Sequence, residues 1–127
     1  MAKTVIDAIL DGAFDVLDQA DLMTVCSAQP TTNTEAKTTF KLADVAMTPD
    51  TDYTKSNGDV SGRKVRMAAK SAVPVDASGT ALFVALVVSG AAGGNEPYYV
   101  TTCTSQVLTS GNTGNIPVWD VEILDPT

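Results

Sequence analysis

Histidine is absent from all 127 residues. That removes the commonest general acid–base group, and with it any Ser-His-Asp or Cys-His pair. Cysteine occurs twice, at Cys26 and Cys103, too few without histidine to build an ordinary four-ligand zinc site. Basic residues are scarce: 8 Lys and Arg stand against 15 Asp and Glu, for a net charge of −7. Such a chain gains no counterion-release attraction to DNA or RNA and is repelled by anionic membranes, so neither is expected as a partner. Long apolar runs are missing too. The longest, Ala81–Val88, is far too short to span a bilayer, and Asp7, Asp11 and Asp15 interrupt the N-terminal apolar residues where a signal peptide would need them unbroken. Synthesis in the cytosol is the expectation.

The remaining chemistry is thin. Ser89-Gly90-Ala91-Ala92-Gly93-Gly94 is glycine-rich but matches neither phosphate-loop spacing. Paired carboxylates are the one catalytic option, and a glycosidase sets them in a cleft lined with aromatic rings. One Trp, three Tyr and three Phe must also supply the core. The chain therefore reads as non-enzymatic, with no cofactor. Asp50, Asp52 and Asp59 invite comparison with a calcium loop, yet their spacing does not fit an EF-hand, and cation binding by residues 48–62 is left open. Cys26 and Cys103 both fall in strand-like text. They can pair only if those strands are neighbours, and otherwise act as small, partly buried apolar residues.

The text that is present describes one domain, with a helix over residues 4–19 and a β body over residues 22–125. Ile6, Ile9, Leu10, Ala13, Phe14 and Leu17 share one face at helical spacing, while Asp7, Asp11, Asp15 and Asp18 share the opposite one. Thr4 is positioned as N-cap with Asp7 three residues on, as in a capping box. Asp18 sits at the wrong end for the helix dipole, and Gly12 weakens the centre by roughly 1 kcal/mol relative to Ala. Such a helix must dock, either on its own sheet or on a neighbouring subunit. In the second case Ile6, Leu10 and Phe14 are the candidate contacts.

Leu22–Ala28 reads as the first strand, stopped by Pro30. Thr34–Lys41 is ambiguous between a helical turn and an extended link, with Phe40 and Leu42 as core anchors, and Leu42–Met47 makes a second strand. Thr48–Gly62 is the most loop-like stretch, with a turn signal at Asn57-Gly58. In Arg63–Lys70, Val65, Met67 and Ala69 alternate with basic residues. Arg63, Lys64, Arg66 and Lys70 form a local positive strip: either edge-strand protection or a contact to an acidic surface of another subunit. Thr80–Val88 is apolar on both faces, the mark of a central strand. Ser89–Glu96 is a surface loop. Tyr98–Thr104 and Gln106–Thr109 read as separate strands, Gly111–Asn115 as a turn, and Trp119, Val121 and Ile123 as the buried face of the last strand. The fold class is mainly β: a β-sandwich or flattened barrel of about seven or eight short antiparallel strands with one N-terminal α-helix.

The segments VCSAQPTTNTEA, DVSGRKVRMAA, ASGTALFVALV and YYVTTCTSQVLTSGNTGNIPVWDVEILDPT resemble a group of small structural proteins of tailed bacteriophages. The resemblance runs from about Leu22 to Thr127, and residues 48–62 and 91–96 are where variation is expected. It implies a virion component, made in the host bacterial cytoplasm. The role it points to first is a capsid decoration protein on the outside of the head, whose partner is the major capsid protein of the same phage. A tail or head-fibre component is the alternative, and a generic β-sandwich binding module the non-viral one. Shells often present threefold sites, so the apolar helix face and the Ala81–Val88 strand could serve a trimer; a monomer docking between shell subunits is the alternative.

Overall fold

Apolar residues concentrated in one strand and one helix face dictate where the layers meet. The computed structural model describes residues 5–126. Helix α1 covers Asp7–Leu17, and the strands are β1 Leu22–Cys26, β2 Lys41–Ala46, β3 Tyr53–Asn57, β4 Arg63–Met67, β5 Lys70–Pro74, β6 Gly79–Val87, β7 Tyr99–Leu108, β8 Thr113–Ile116 and β9 Trp119–Ile123. They form a four-stranded sheet in the order β2-β1-β6-β7, a three-stranded sheet β3-β4-β9 and a two-stranded ribbon β5-β8, with antiparallel pairing throughout. The result is a flattened β-sandwich carrying one N-terminal helix.

The four-stranded sheet is buried on both faces at its centre. On the inner face Met23, Val84 and Leu86 meet Val65, Met67 and Val121 of the three-stranded sheet, with Phe14 and Leu17 of α1 closing the layer. Beside this, Val25, Leu42, Ala43 and Ala81 meet Val73 of the ribbon. On the outer face Ala85 and Val87 lie under Ala36, in a π-helical turn at Glu35–Thr39. Double-sided burial is why Val84–Val87 of β6 are apolar on both faces, as the middle of a central strand should be. The Ser89–Glu96 loop is tied to the same turn, since the Asn33 and Thr34 amides donate to Asn95 and Gly93 carbonyls at 2.7 and 3.0 Å.

Several local expectations change. The region 48–62 contains β3, whose sequence YTKSN has Tyr53 as its one large apolar residue and so shows no two-residue alternation. Pairing with β4 and the bond from Tyr53 Oη to the Ala20 carbonyl, 2.6 Å, hold it in place. The β3–β4 connection is longer than a two-residue turn. It closes through the Gly58 amide on the Gly62 carbonyl, and Gly62 takes the positive φ, 72°, against the Ile123 carbonyl where a Cβ would collide. The two strands expected at 98–109 are one strand, β7, bulged in the middle, and much of 111–115 belongs to β8. Of the anchors, Leu42 is buried and Phe40 is half-buried. Thr4 lies outside the described residues; α1 opens at Ile6, which is extended and supplies no side-chain cap.

The helix orientation is testable. Phe14→Ala removes a ring that is 1% exposed and should cost about 3–5 kcal/mol, whereas Ile9→Ala, at a site 64% exposed, should stay within about 0.5 kcal/mol in urea unfolding.

Candidate functional site

The basic strip is neutralised from within. Arg63 donates from Nε to Asp11 Oδ1 at 2.9 Å and from Nη1 to Asn57 Oδ1 at 2.9 Å. Lys64 pairs with Asp59 at 2.6 Å, Arg66 grips Asp120 in bidentate fashion at 2.7 and 3.1 Å, and Lys70 pairs with Asp52 at 2.8 Å. The expected strand Arg63–Lys70 is split: β4 lies between β3 and β9, so edge-strand protection is not the role of Arg63, Lys64 and Arg66, whereas Lys70 begins β5 in the ribbon. The strip also presents no uncompensated positive face to a partner. The register explains the arrangement: Arg66 stands opposite Asp120 and Lys64 opposite Glu122 on the outer face of the β4–β9 pair. That complementarity was available in the sequence, where KVR and DVE alternate in step, and it identifies a cross-strand pair.

The helix face is divided. Leu10, Phe14 and Leu17 turn inward, while Ile6, Ile9 and Val16 remain 60–68% exposed. The three candidate contacts therefore separate. Leu10 and Phe14 belong to the chain's own core, because the carboxylates of Asp11, Asp15 and Asp18 are drawn to Arg63 and Lys55 and set the helix rotation. Ile6 alone is on the surface, in a stripe with Ile9 and Val16.

A cleft of about 300 Å³ opens between the four-stranded sheet and the ribbon, walled by Val25, Val73, Val75, Leu108 and Ile116. Cys103 lines it, and burial pushes its thiol pKa up, as burial does for Cys26 beneath the Ala36 carbonyl. A raised pKa removes thiolate and hence nucleophilicity. β6 separates β1 from β7, so the two strands are not neighbours and both cysteines are free thiols. Among the described residues no group of three or more His, Cys, Asp or Glu side chains could hold a metal ion. In the Asp-rich region, Asp52 is held by Lys70 and the Thr48 amide, and Asp59 by Lys64.

β7 forms one edge of its sheet. Comparison with family models, curated proteins and solved structures finds no match. The other edges are short or charged: β2 carries Lys41 and Asp44, β3 carries Lys55, and β9 carries Asp120 and Glu122. β7 is 10 residues long, YVTTCTSQVL, with neither charge nor proline. An edge of that kind is a template for another strand.

The ion pairs predict a pH response. The Arg66 guanidinium holds Asp120 below the ordinary carboxylate range, and the Ser89 hydroxyl and amide do the same for Asp21. Groups with depressed folded pKa values contribute stability above their unfolded pKa, near 4, and lose it as pH falls through the folded one. Urea unfolding should give a free energy that is level from about pH 5 to 8 and declines below about pH 4. Asp120→Asn should make that decline shallower.

Proposed function

We propose that this chain is a structural component of a tailed-phage virion, a decoration protein bound to the outside of the head shell. The observation that carries this reading is the uncovered aliphatic stripe of Ile9 and Val16 on α1, extended by Ile6 at its N-cap, on a helix whose other side is packed into the core and into ion pairs. A fixed apolar face on a small acidic protein suits docking onto a larger surface, and repeated copies on a shell allow modest contacts per copy. The phage-like phrases agree with that role and make the major capsid protein the partner.

The fibre or adhesin alternative asks for exposed aromatic rings, and the tyrosines do not supply a platform. Tyr53 is buried, Tyr99 packs on Trp119 with ring centroids 6.0 Å apart, and Tyr98 alone is exposed, at 45%. Under the decoration reading, the contact to the shell is apolar and the Arg63–Lys70 strip contributes little.

Co-sedimentation with expanded, empty heads should retain the protein at micromolar concentration, while unassembled shell protein should not bind it. Ile9→Asp and Val16→Asp should weaken binding at least about tenfold, which is about 1.4 kcal/mol, and Arg66→Ala should change it little. Absence of retention on heads at tens of micromolar would sink the proposal.

A further inference from the structure

We infer that β7 is a self-pairing edge, and that two copies of this chain join through antiparallel β7–β7 pairing about a two-fold axis between Cys103 and Thr104. The inference goes beyond the virion reading and does not depend on it.

The register of β7 on β6 makes the case. Tyr99–Thr102 pair with Leu86–Phe83, and Gln106–Leu108 pair with Ala81–Gly79, so three β7 residues, 103–105, stand opposite Leu82 alone. The bulge reverses the alternation between the two halves of the strand. Tyr99 and Thr101, paired with Leu86 and Val84, lie on the inner face; so do Cys103, Thr104, Gln106 and Leu108, which line or flank the cleft. Val100 packs on the outer-face cluster, and Val107, opposite Thr80, is 76% exposed.

A strand extending a sheet about a perpendicular two-fold must keep directly opposed residues on the same face. With the axis between Cys103 and Thr104, Tyr99 opposes Leu108, Val100 opposes Val107, Thr101 opposes Gln106, Thr102 opposes Ser105 and Cys103 opposes Thr104. Every pair then matches in face, and most match in character. Moving the axis by one residue in either direction places an inner-face residue against an outer-face one. A bulge ordinarily protects an edge by twisting it. Here it also makes the full-length register, with all ten residues paired, self-complementary in face.

Charge favours a second copy as the occupant. The chain carries −7, so most of its surface repels another copy, but β7 has no ionisable carboxylate or cation and brings two edges together without opposing like charges. The Val100–Val107 contact on the outer face would cover the most exposed aliphatic residue of the strand.

The test is disulfide trapping in a Cys103→Ala background, with oligomeric state followed by light scattering. Val100→Cys with Val107→Cys should give an interchain disulfide dimer under mild oxidation, since directly opposed Cα atoms about 4.5–5.5 Å apart suit a disulfide. Thr101→Cys with Val107→Cys, on opposite faces, should not. Val107→Lys, at an exposed position that tolerates substitution, should shift the unmodified protein toward monomer while leaving its circular dichroism and melting unchanged. The inference is overturned if the protein is monomeric at hundreds of micromolar with no trapping, or if both cysteine pairs cross-link equally. It is equally overturned if a dimer forms that Val107→Lys leaves intact.

Discussion

Asp18 is a carboxylate whose side chain is 3% exposed at the C-terminal end of a helix, where the dipole disfavours it, and it is compensated by the Lys55 ammonium and the Gln19 side-chain amide. Lys55 reaches Asp18 at 3.1 Å and also bonds Asp15 one turn back, while Arg63 on the adjacent strand holds Asp11. Ion pairs at a surface contribute little free energy, but losing one partner of a buried pair leaves a charge without compensation. What these pairs supply is orientation. The apolar arc of α1 is wider than the sheet can cover, running from Val16 and Ile9 round to Phe14, so apolar burial alone does not decide which stripe goes in. Tying three aspartates to β3 and β4 puts Leu10, Phe14 and Leu17 against the core and leaves Ile6, Ile9 and Val16 outside.

The rest of the architecture follows from one sheet needing more cover than a single partner layer gives. The β2-β1-β6-β7 sheet is wider than either the three-stranded sheet or the ribbon, so its inner face is shared between them, and the cleft lies beside the ribbon near β7. On its outer face the π-helical turn and the loop that bonds to it cover only the end that holds Ala85 and Val87. The strand farthest from these covers is β7, which is accordingly the longest and the least protected. An aliphatic helix stripe and an uncharged edge are two different kinds of unfinished surface.

Much of this was legible in the residues. The helix, the apolar β6 and the one-sided β4 and β9 all announce themselves through periodicity, and from them the mainly β class and the single-helix arrangement follow. β3 was hidden because its polar side chains carry no alternation and its order comes from pairing with β4. The bulge in β7 was hidden because a switch of face within TTCTSQ mimics a break between strands. The basic strip misled for a different reason: counting Arg63, Lys64, Arg66 and Lys70 together takes no account of the carboxylates that tertiary contact brings to each. The Asp120 and Glu122 side chains opposite them were readable only by setting β9 beside β4. The helix contacts were half legible, since spacing identifies a face but not which part of a wide face is turned inward.

Ion pairs fix the rotation of α1 and so create the exposed stripe. The measurement closest to that rotation is the rate of thiol labelling of single cysteines placed along the helix in a Cys103→Ala background. Cysteine at position 9 or 16 should label within about tenfold of the unfolded rate and cysteine at position 17 more than about a hundredfold slower, with the contrast shrinking when Lys55 and Arg63 are both replaced by Ala. Protection at positions 9 and 16 with rapid labelling at 17, or a contrast indifferent to loss of both cations, would contradict the account.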